Sequence, residues 1–331
     1  MSLSKETGAA STFQYSTRHY FMGDHKHIQS PHNSALVNHG IWPYIELARI
    51  NSLVGTWVYF WPCCWGSMMA AYALRLPFST LAKVVPLLWI GAAILHSACC
   101  TINDVFDRKM DRLVERTKNR PVARGAISVP NALLFFVAQI LAYIGLLTYA
   151  PPLCVRLALI NIPMQICYPL FKRFTYWPSL FLGVVLSWGA MCGWSAVTGS
   201  IDWKVVGPLY LSSVCWSFGF DTIYGYQDRR DDAKAGVKSA ALVLGANPAS
   251  FFYAVAAGFI GLLAVAGSQN GHGPFYYIFT VGFAAAHVYW QISTLDTTNP
   301  ADCRDKFSSN AWIGWPMLIG LFSDYTVRTL A

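Results

Sequence analysis

The apolar run Leu81-Ala-Lys-Val-Val-Pro-Leu-Leu-Trp-Ile-Gly-Ala-Ala-Ile-Leu-His-Ser-Ala-Cys-Cys-Thr-Ile102 leads directly into Asn103-Asp-Val-Phe-Asp-Arg-Lys-Met-Asp111. The run is long enough to cross a bilayer, and the segment after it supplies carboxylate and amide oxygens. Asp107 and Asp111 are four residues apart, so on a helix they share one face, where unscreened carboxylates repel each other. Oxygen ligands favour a hard cation such as Mg²⁺, which substrate phosphates typically complete. We therefore expect diphosphate chemistry at a membrane surface.

A second acidic segment follows another long apolar run and reads Asp221-Thr-Ile-Tyr-Gly-Tyr-Gln-Asp228-Arg-Arg-Asp231-Asp232. Asp228 and Asp232 repeat the spacing of four, which predicts a second pair on one helical face. The alternative is that each segment is a solvated helix end with its own salt bridges. Carboxylates beside hydrocarbon are costly unless they have partners, and two equivalent segments favour a shared cation site. We predict that both segments converge on one pocket and grip the same cation-bound diphosphate.

The composition is that of a membrane protein. Of the 331 residues, 55% are hydrophobic and only 12% are charged, whereas about 25% are charged in soluble domains. We predict an all-α, polytopic membrane protein with nine transmembrane helices around a central cavity, in one domain of residues 46–331 after a flexible polar arm of residues 1–45. The predicted spans are 52–74, 81–102, 130–149, 152–170, 177–199, 205–224, 249–268, 273–295 and 308–328.

Basic residues are concentrated in the loops after the second, fourth, sixth and eighth spans. This bias explains the net charge of +8 without nucleic acid and places both acidic segments on the cytosolic or matrix side. We expect the endoplasmic reticulum or another endomembrane, with the mitochondrial inner membrane as the alternative. Among these cations, Arg116, Arg120, Lys172 and Arg173 are placed to bind phosphate oxygens, unless they serve topology only.

These residues resemble the UbiA family of intramembrane aromatic prenyltransferases. Asn103–Asp111 is similar to the first acidic motif of that family, and Arg116-Thr-Lys-Asn-Arg-Pro121 to the element behind it. Tyr168-Pro-Leu-Phe-Lys-Arg-Phe-Thr175 resembles a loop of the family, and 221–239 its second acidic motif in the 4-hydroxybenzoate polyprenyltransferase branch. Arg49 and the residues after it resemble the first helix of that branch. The likeness extends over nearly all of the apolar part of the chain.

The resemblance implies Mg²⁺-dependent ionisation of a prenyl diphosphate and attack by an electron-rich aromatic ring. Four carboxylates would be catalytic: Asp107, Asp111, Asp228 and Asp232. The implied metal-binding residues are Asn103, Asp104, Asp107, Asp111, Asp228, Asp231 and Asp232. The implied substrate-binding residues are Arg49, Asn51, Arg116, Arg120, Lys172, Arg173 and Tyr224. Three aromatic residues lie near the second motif: Trp216, Phe218 and Phe220. They either form an aromatic wall around the allylic cation or serve only in helix packing.

Three departures from the ubiquinone branch lie where an aromatic acceptor could be contacted: Asn51-Ser-Leu-Val-Gly55, Ser179 and Gly225-Tyr226. They favour a fungal enzyme of secondary metabolism that transfers farnesyl to a phenolic polyketide acid in meroterpenoid biosynthesis. The alternative is the 4-hydroxybenzoate polyprenyltransferase of ubiquinone biosynthesis. A cation-coupled transporter is a further alternative, but transport sites lie near the bilayer centre rather than at helix ends.

Overall fold

The computed structural model describes residues 40–330, which form α-helices joined by turns. A 3₁₀ turn at Tyr226–Asp228 and a π-helical segment at Tyr276–Val281 complete the helical structure. The all-α class is confirmed. Residues 1–39 of the predicted arm lie outside the described residues. The α-helices are α1 (Trp42–Leu47), α2 (Val54–Ala73), α3 (Phe78–Asp111), α4 (Val129–Leu147), α5 (Pro152–Phe174), α6 (Pro178–Ser187), α7 (Gly189–Thr198), α8 (Trp203–Gly225), α9 (Arg229–Ala235), α10 (Ala240–Leu244), α11 (Ala249–Asn270), α12 (Gly282–Ser293), α13 (Pro300–Ser309) and α14 (Gly314–Leu330).

Several helices are suited to a membrane. Within the described part of the chain, five candidate spans are long and apolar enough to cross one: α3, α4, α5, the α6–α7 pair and α11. The four other predicted spans fall on α2, α8, α12 with the π-helical segment before it, and α14. The span predicted at 177–199 is two helices that meet at Trp188. Among the described residues, the helix α1 begins at Trp42, inside the range assigned to the arm.

The helix α4 shows a surface of the kind that contacts lipid. Its buried residues recur along a single stripe, and the large apolar side chains of Leu134 and Leu141 on its other faces are exposed. An exposed apolar surface of this extent requires an apolar environment. The buried stripe consists of Ala132, Gln139, Tyr143 and Leu147.

The helix α2 is held at the centre of the molecule by close contact with α7. A Cβ atom at Gly193 would lie 1.9 Å from the backbone oxygen of Cys63, so only glycine allows this approach. Trp61 of α2 is fully buried, and its indole Nε1 donates a hydrogen bond to the Ala311 backbone oxygen at 2.9 Å. The helix α2 is therefore packed against α7 and hydrogen-bonded to the segment between α13 and α14.

The first acidic segment is helical, as predicted, and forms the last turns of α3. The second is not one helix: α8 ends at Gly225, the 3₁₀ turn follows, and α9 begins only at Arg229. Asp228 is therefore the N-cap of α9 and Asp232 lies in the first turn of that helix, so the pair lies at a helix start rather than inside one long helix. The turn is anchored by buried Tyr226, whose hydroxyl donates to the Gly245 backbone oxygen at 2.9 Å.

Candidate active site

The last turns of α3 carry carboxylates on a buried face. Asp104, Asp107 and Asp111 are only 1%, 3% and 6% exposed, and their spacing of three and four residues aligns them. Each carboxylate has a cationic partner. Arg120 comes from the loop after α3, and Lys172 comes from α5. The ion pairs are Arg49 Nη2–Asp104 Oδ1 at 2.9 Å, Lys172 Nζ–Asp107 Oδ2 at 3.0 Å and Arg120 Nη1–Asp111 Oδ1 at 3.1 Å.

The two acidic segments meet at this site. The Arg116 guanidinium Nε donates to Asp228 Oδ1 at 2.8 Å, and the Glu115 backbone N–H donates to Asp231 Oδ2 at 3.4 Å. The loop behind the first segment therefore contacts the second segment directly. This is the convergence that the sequence predicted, and it brings two sets of carboxylates and their arginines to one end of the helix bundle.

The charge balance of the site depends on burial. Burial and the nearby Asp228 carboxylate together raise the pKa of Asp232 to about 7, although Lys172 opposes the increase. Burial lowers the pKa of Arg120, but the carboxylates of Asp104 and Asp111 raise it more, so this guanidinium stays charged. A carboxyl group with a raised pKa such as that of Asp232 gains from an additional cation nearby.

Two oxygen atoms in this site fit a Mg²⁺ ion. Asn103 Oδ1 and Asp107 Oδ1 are buried and have no hydrogen-bond partner among the described residues, and they lie four residues apart on α3. Within residues 40–330, no three His, Cys, Asp or Glu side chains are grouped so that they could hold a metal ion alone. Mg²⁺ does not need such a cage, because it binds one or two carboxylates and is completed by water and substrate phosphates.

Arg49 reaches the site from the turn after α1. Its φ of 57° lies in the left-handed region, which is uncommon for residues other than glycine. Its guanidinium donates to the Glu46 backbone oxygen at 2.6 Å and to Asp104, and these contacts hold the unusual conformation. Asn51, on the same turn, is exposed.

Arg173 and Tyr224 lie at the rim of the site. Arg173 is exposed and donates from Nη2 to the Phe106 backbone oxygen at 3.1 Å. The guanidinium carbon of Arg116 lies 4.9 Å from the centre of the Tyr224 ring, a cation–π distance. Three other aromatic residues near the second motif pack against aromatic rings of α11 or α13, which agrees with the interpretation that they serve helix packing: Trp216, Phe218 and Phe220.

Two polar residues in α5 were not identified from the sequence. Asn161 and Gln165 lie in an apolar span, and together with Tyr168 and Lys172 they are spaced by four, three and four residues. This spacing places all four side chains on one face of α5. Amides at helical intervals within a membrane span are the sequence signal that identifies them.

Comparison with protein families identifies the family of this chain. The sequence model described as the UbiA prenyltransferase family matches residues 59–315. The chain belongs to the UbiA prenyltransferase family. This member is 41% identical over 279 residues to 4-hydroxybenzoate geranyltransferase 1 of Lithospermum erythrorhizon, covering 84% of this chain and 89% of that protein. It is also 40% identical over 288 residues to the mitochondrial 4-hydroxybenzoate polyprenyltransferase of Saccharomyces cerevisiae, covering 86% and 77%.

Solved structures show the same fold. The apo structure of a UbiA homolog from Aeropyrum pernix K1 has a TM-score of 0.69 and 23% identity, over 81% of this chain and 97% of that one. A UbiA homolog from Archaeoglobus fulgidus, solved with GPP and Mg²⁺, has a TM-score of 0.61 and 17% identity, over 86% and 99%.

These comparisons confirm the predicted family and the enzyme class, an aromatic prenyltransferase. The Archaeoglobus fulgidus homolog binds Mg²⁺ and GPP, the cofactor and the class of donor that the sequence predicts here. The relatives are named for 4-hydroxybenzoate, which favours the acceptor that the sequence left as the alternative. Several relatives are named as mitochondrial, again the alternative, and their names give no support to the endoplasmic reticulum.

Proposed function

We propose that this UbiA family member transfers a prenyl group from a prenyl diphosphate to a ring carbon of 4-hydroxybenzoate or a closely related phenolic acid, with Mg²⁺ as cofactor. The observation that carries this proposal is the meeting of the two acidic segments, joined by Arg116 and Asp228 at 2.8 Å. Similarity to 4-hydroxybenzoate prenyltransferases over most of the chain supports the acceptor class.

The residues divide into those that hold the ion and those that bind the diphosphate. Asn103 and Asp107 have the free oxygens suited to Mg²⁺, with Asp228 and Asp232 contributing from the second segment. When bound, Mg²⁺ neutralises charge on the diphosphate. Three cations next to these carboxylates stabilise the negative charge that develops on the leaving oxygen: Arg116, Arg120 and Lys172.

The transfer exchanges one bond for another. A bond forms between the ring carbon and C1 of the prenyl group, while the bond from C1 to the diphosphate oxygen breaks and its electron pair leaves with the diphosphate. The ring carbon then loses its hydrogen as a proton. The rings of Tyr168 and Tyr224 lie 5.6 Å from Lys172 Nζ and 4.9 Å from the Arg116 guanidinium, and they offer aromatic faces to the allylic cation.

We also propose that the chain crosses the mitochondrial inner membrane nine times, with both acidic segments on the matrix side. The distribution of basic loops supports this orientation. A second candidate function is farnesyl transfer to a larger phenolic polyketide acid in meroterpenoid biosynthesis. The departures at Asn51, Ser179 and Tyr226 favour it, because they alter residues near the site without removing its carboxylates or arginines.

Membranes that contain the protein test both candidates. Labelled C10, C15 and C20 diphosphates, supplied with Mg²⁺ and either 4-hydroxybenzoate or bulkier phenolic acids, should yield a carbon-linked product. Asp107→Ala and Asp228→Ala should each reduce turnover at least about 100-fold. The exposed Asp305 is the matched control, and Asp305→Ala should stay within about 2-fold of the unmodified protein. Unchanged turnover in either site variant would overturn the assigned roles.

A further inference from the structure

The polar face of α5 continues from the acidic site into an apolar cavity. Asn161 and Gln165 are 5% and 4% exposed and line a cavity of about 100 Å³. Most of the remaining lining is apolar and comes from α3, α4 and α7, with Leu88 and Leu147 among its residues. The cavity therefore combines an apolar wall with two amide groups at one side.

The orientation of the Gln165 amide is set by its neighbours. The Tyr59 hydroxyl donates to Gln165 Oε1 at 3.0 Å, and the Cys99 thiol donates to the same oxygen at 3.1 Å. Because two donors converge on the oxygen, the amide nitrogen is the atom left over. Gln165 Nε2 and Asn161 Oδ1 are both buried, and neither has a hydrogen-bond partner in residues 40–330. Buried amide atoms of this kind indicate a ligand with both an acceptor and a donor.

The depth of these amides suits the acceptor ring. Cys99, which contacts Gln165, lies four residues before Asn103 and eight before Asp107 on α3. On a helix these separations correspond to about 6 Å and 12 Å, so the Gln165 amide lies one to two turns from the ion-binding oxygens. Asn161, four residues earlier on α5, lies about one turn further away. A ring bound beside Gln165 would therefore lie within about 12 Å of the carboxylates of α3, on the apolar side of the acidic site.

The size and polarity of the cavity distinguish between possible occupants. A cavity of about 150 Å³ in another protein holds one benzene, so about 100 Å³ corresponds to no more than a ring or its substituents. A prenyl tail would place only hydrocarbon against the amides of Asn161 and Gln165 and leave them unsatisfied. A phenolic hydroxyl satisfies both, because it accepts from Gln165 Nε2 and donates to Asn161 Oδ1. The two residues are one helical turn apart, which suits a bridging group.

We propose that Gln165 and Asn161 bind the phenolic hydroxyl of the aromatic acceptor. This inference rests on the proposed function and identifies where the acceptor class is recognised. Donation of the hydroxyl hydrogen to Asn161 Oδ1 increases electron density on the hydroxyl oxygen and on the adjacent ring carbon, which then attacks C1. The two amides therefore position and activate the acceptor, while the acidic site binds the donor.

A kinetic test distinguishes an effect on acceptor binding from an effect on donor binding. Gln165→Met and Asn161→Leu should each raise the acceptor KM, measured with 4-hydroxybenzoate, about 5- to 10-fold, the effect of one lost hydrogen bond. The donor KM and the release of diphosphate without acceptor should stay within about 2-fold. Gln139 is a matched control, because it is a buried amide on α4 outside the cavity lining, and Gln139→Met should leave both KM values unchanged.

Two further measurements keep the test independent of turnover and of local misfolding. Equilibrium binding of radiolabelled 4-hydroxybenzoate to the purified protein in EDTA should weaken by the same factor in Gln165→Met. Tyr59→Phe retains the amide but removes one of the donors that orient it, and it should raise the acceptor KM about 3-fold.

Other results would overturn the inference. A rise in donor KM that is larger for C20 than for C10, with the acceptor KM unchanged, would place the prenyl tail in the cavity. No change in either KM would mean that the amides are only hydrated. If the unmodified protein prenylates no phenolic acid, the proposed function fails, and the binding measurement still decides whether the cavity takes a phenol.

Discussion

Replacement of Lys172 by methionine tests how the acidic site is balanced. Lys172 Nζ lies 3.0 Å from Asp107 Oδ2, and the two side chains are 25% and 4% exposed. Lys172→Met keeps most of the apolar volume but removes the charge. Asp107 is then a buried carboxylate whose nearest cation is gone.

The structure allows the cost to be estimated. Loss of one partner from a buried pair costs about 3 to 5 kcal/mol, and because Lys172 is a quarter exposed we expect about 3 kcal/mol. In EDTA this loss should appear as a lower thermal unfolding temperature of the detergent-solubilised protein. In the proposed function Mg²⁺ binds beside Asp107 and replaces the lost cation. Saturating Mg²⁺ should therefore recover much of the lost stability, since binding at 100 times Kd contributes about 2.7 kcal/mol.

Activity should not recover in the same way. In the proposed function Lys172 also stabilises the leaving diphosphate, so kcat/KM for the prenyl donor should fall about 100- to 1,000-fold even with saturating Mg²⁺. Lys83 is an exposed lysine at the other end of α3, and Lys83→Met should change neither stability nor activity measurably. A Lys172→Met enzyme with donor kcat/KM within about 3-fold of the unmodified protein would refute the reasoning.

Three other perturbations have defined outcomes. Arg116→Ala removes the hydrogen bonds from Arg116 to Asp228 and should lower kcat/KM for the prenyl donor about 10- to 100-fold. Lys118→Ala affects the exposed pair with Glu115, and its kcat/KM should stay within about 2-fold of the unmodified protein. Equal effects of the two substitutions would contradict a specific role for Arg116. EDTA should abolish product formation and added Mg²⁺ should restore it, while persistent turnover in EDTA would exclude the assigned cofactor. Gly193→Ala places a Cβ 1.9 Å from the Cys63 backbone oxygen and should destabilise the fold by about 1 to 3 kcal/mol. Gly261→Ala adds a Cβ in open space on α11 and should stabilise the fold by about 0.5 to 1 kcal/mol. The thermal unfolding temperatures of the two variants should therefore shift in opposite directions.

Several features of this protein follow from the sequence by itself. Apolar runs of membrane length, separated by basic loops, determine an all-helical membrane protein, because the length and composition of a run are local properties. The acidic segments and the cations Arg116, Arg120, Lys172 and Arg173 were likewise evident from residue type and spacing. The last turns of α3 behave as predicted, because a single regular helix carries the whole Asn103–Asp111 segment.

Only the tertiary structure decided which of these groups meet. Lys172 pairs with Asp107 across 65 positions and Arg116 with Asp228 across 112, and no spacing rule links residues so far apart. The interruption of the helix at Tyr226–Asp228 was also not predicted, because it depends on the hydrogen bond from Tyr226 to Gly245 rather than on local helix preference. Pattern and composition are read along the chain, whereas partners and cavities arise where separate helices pack against each other.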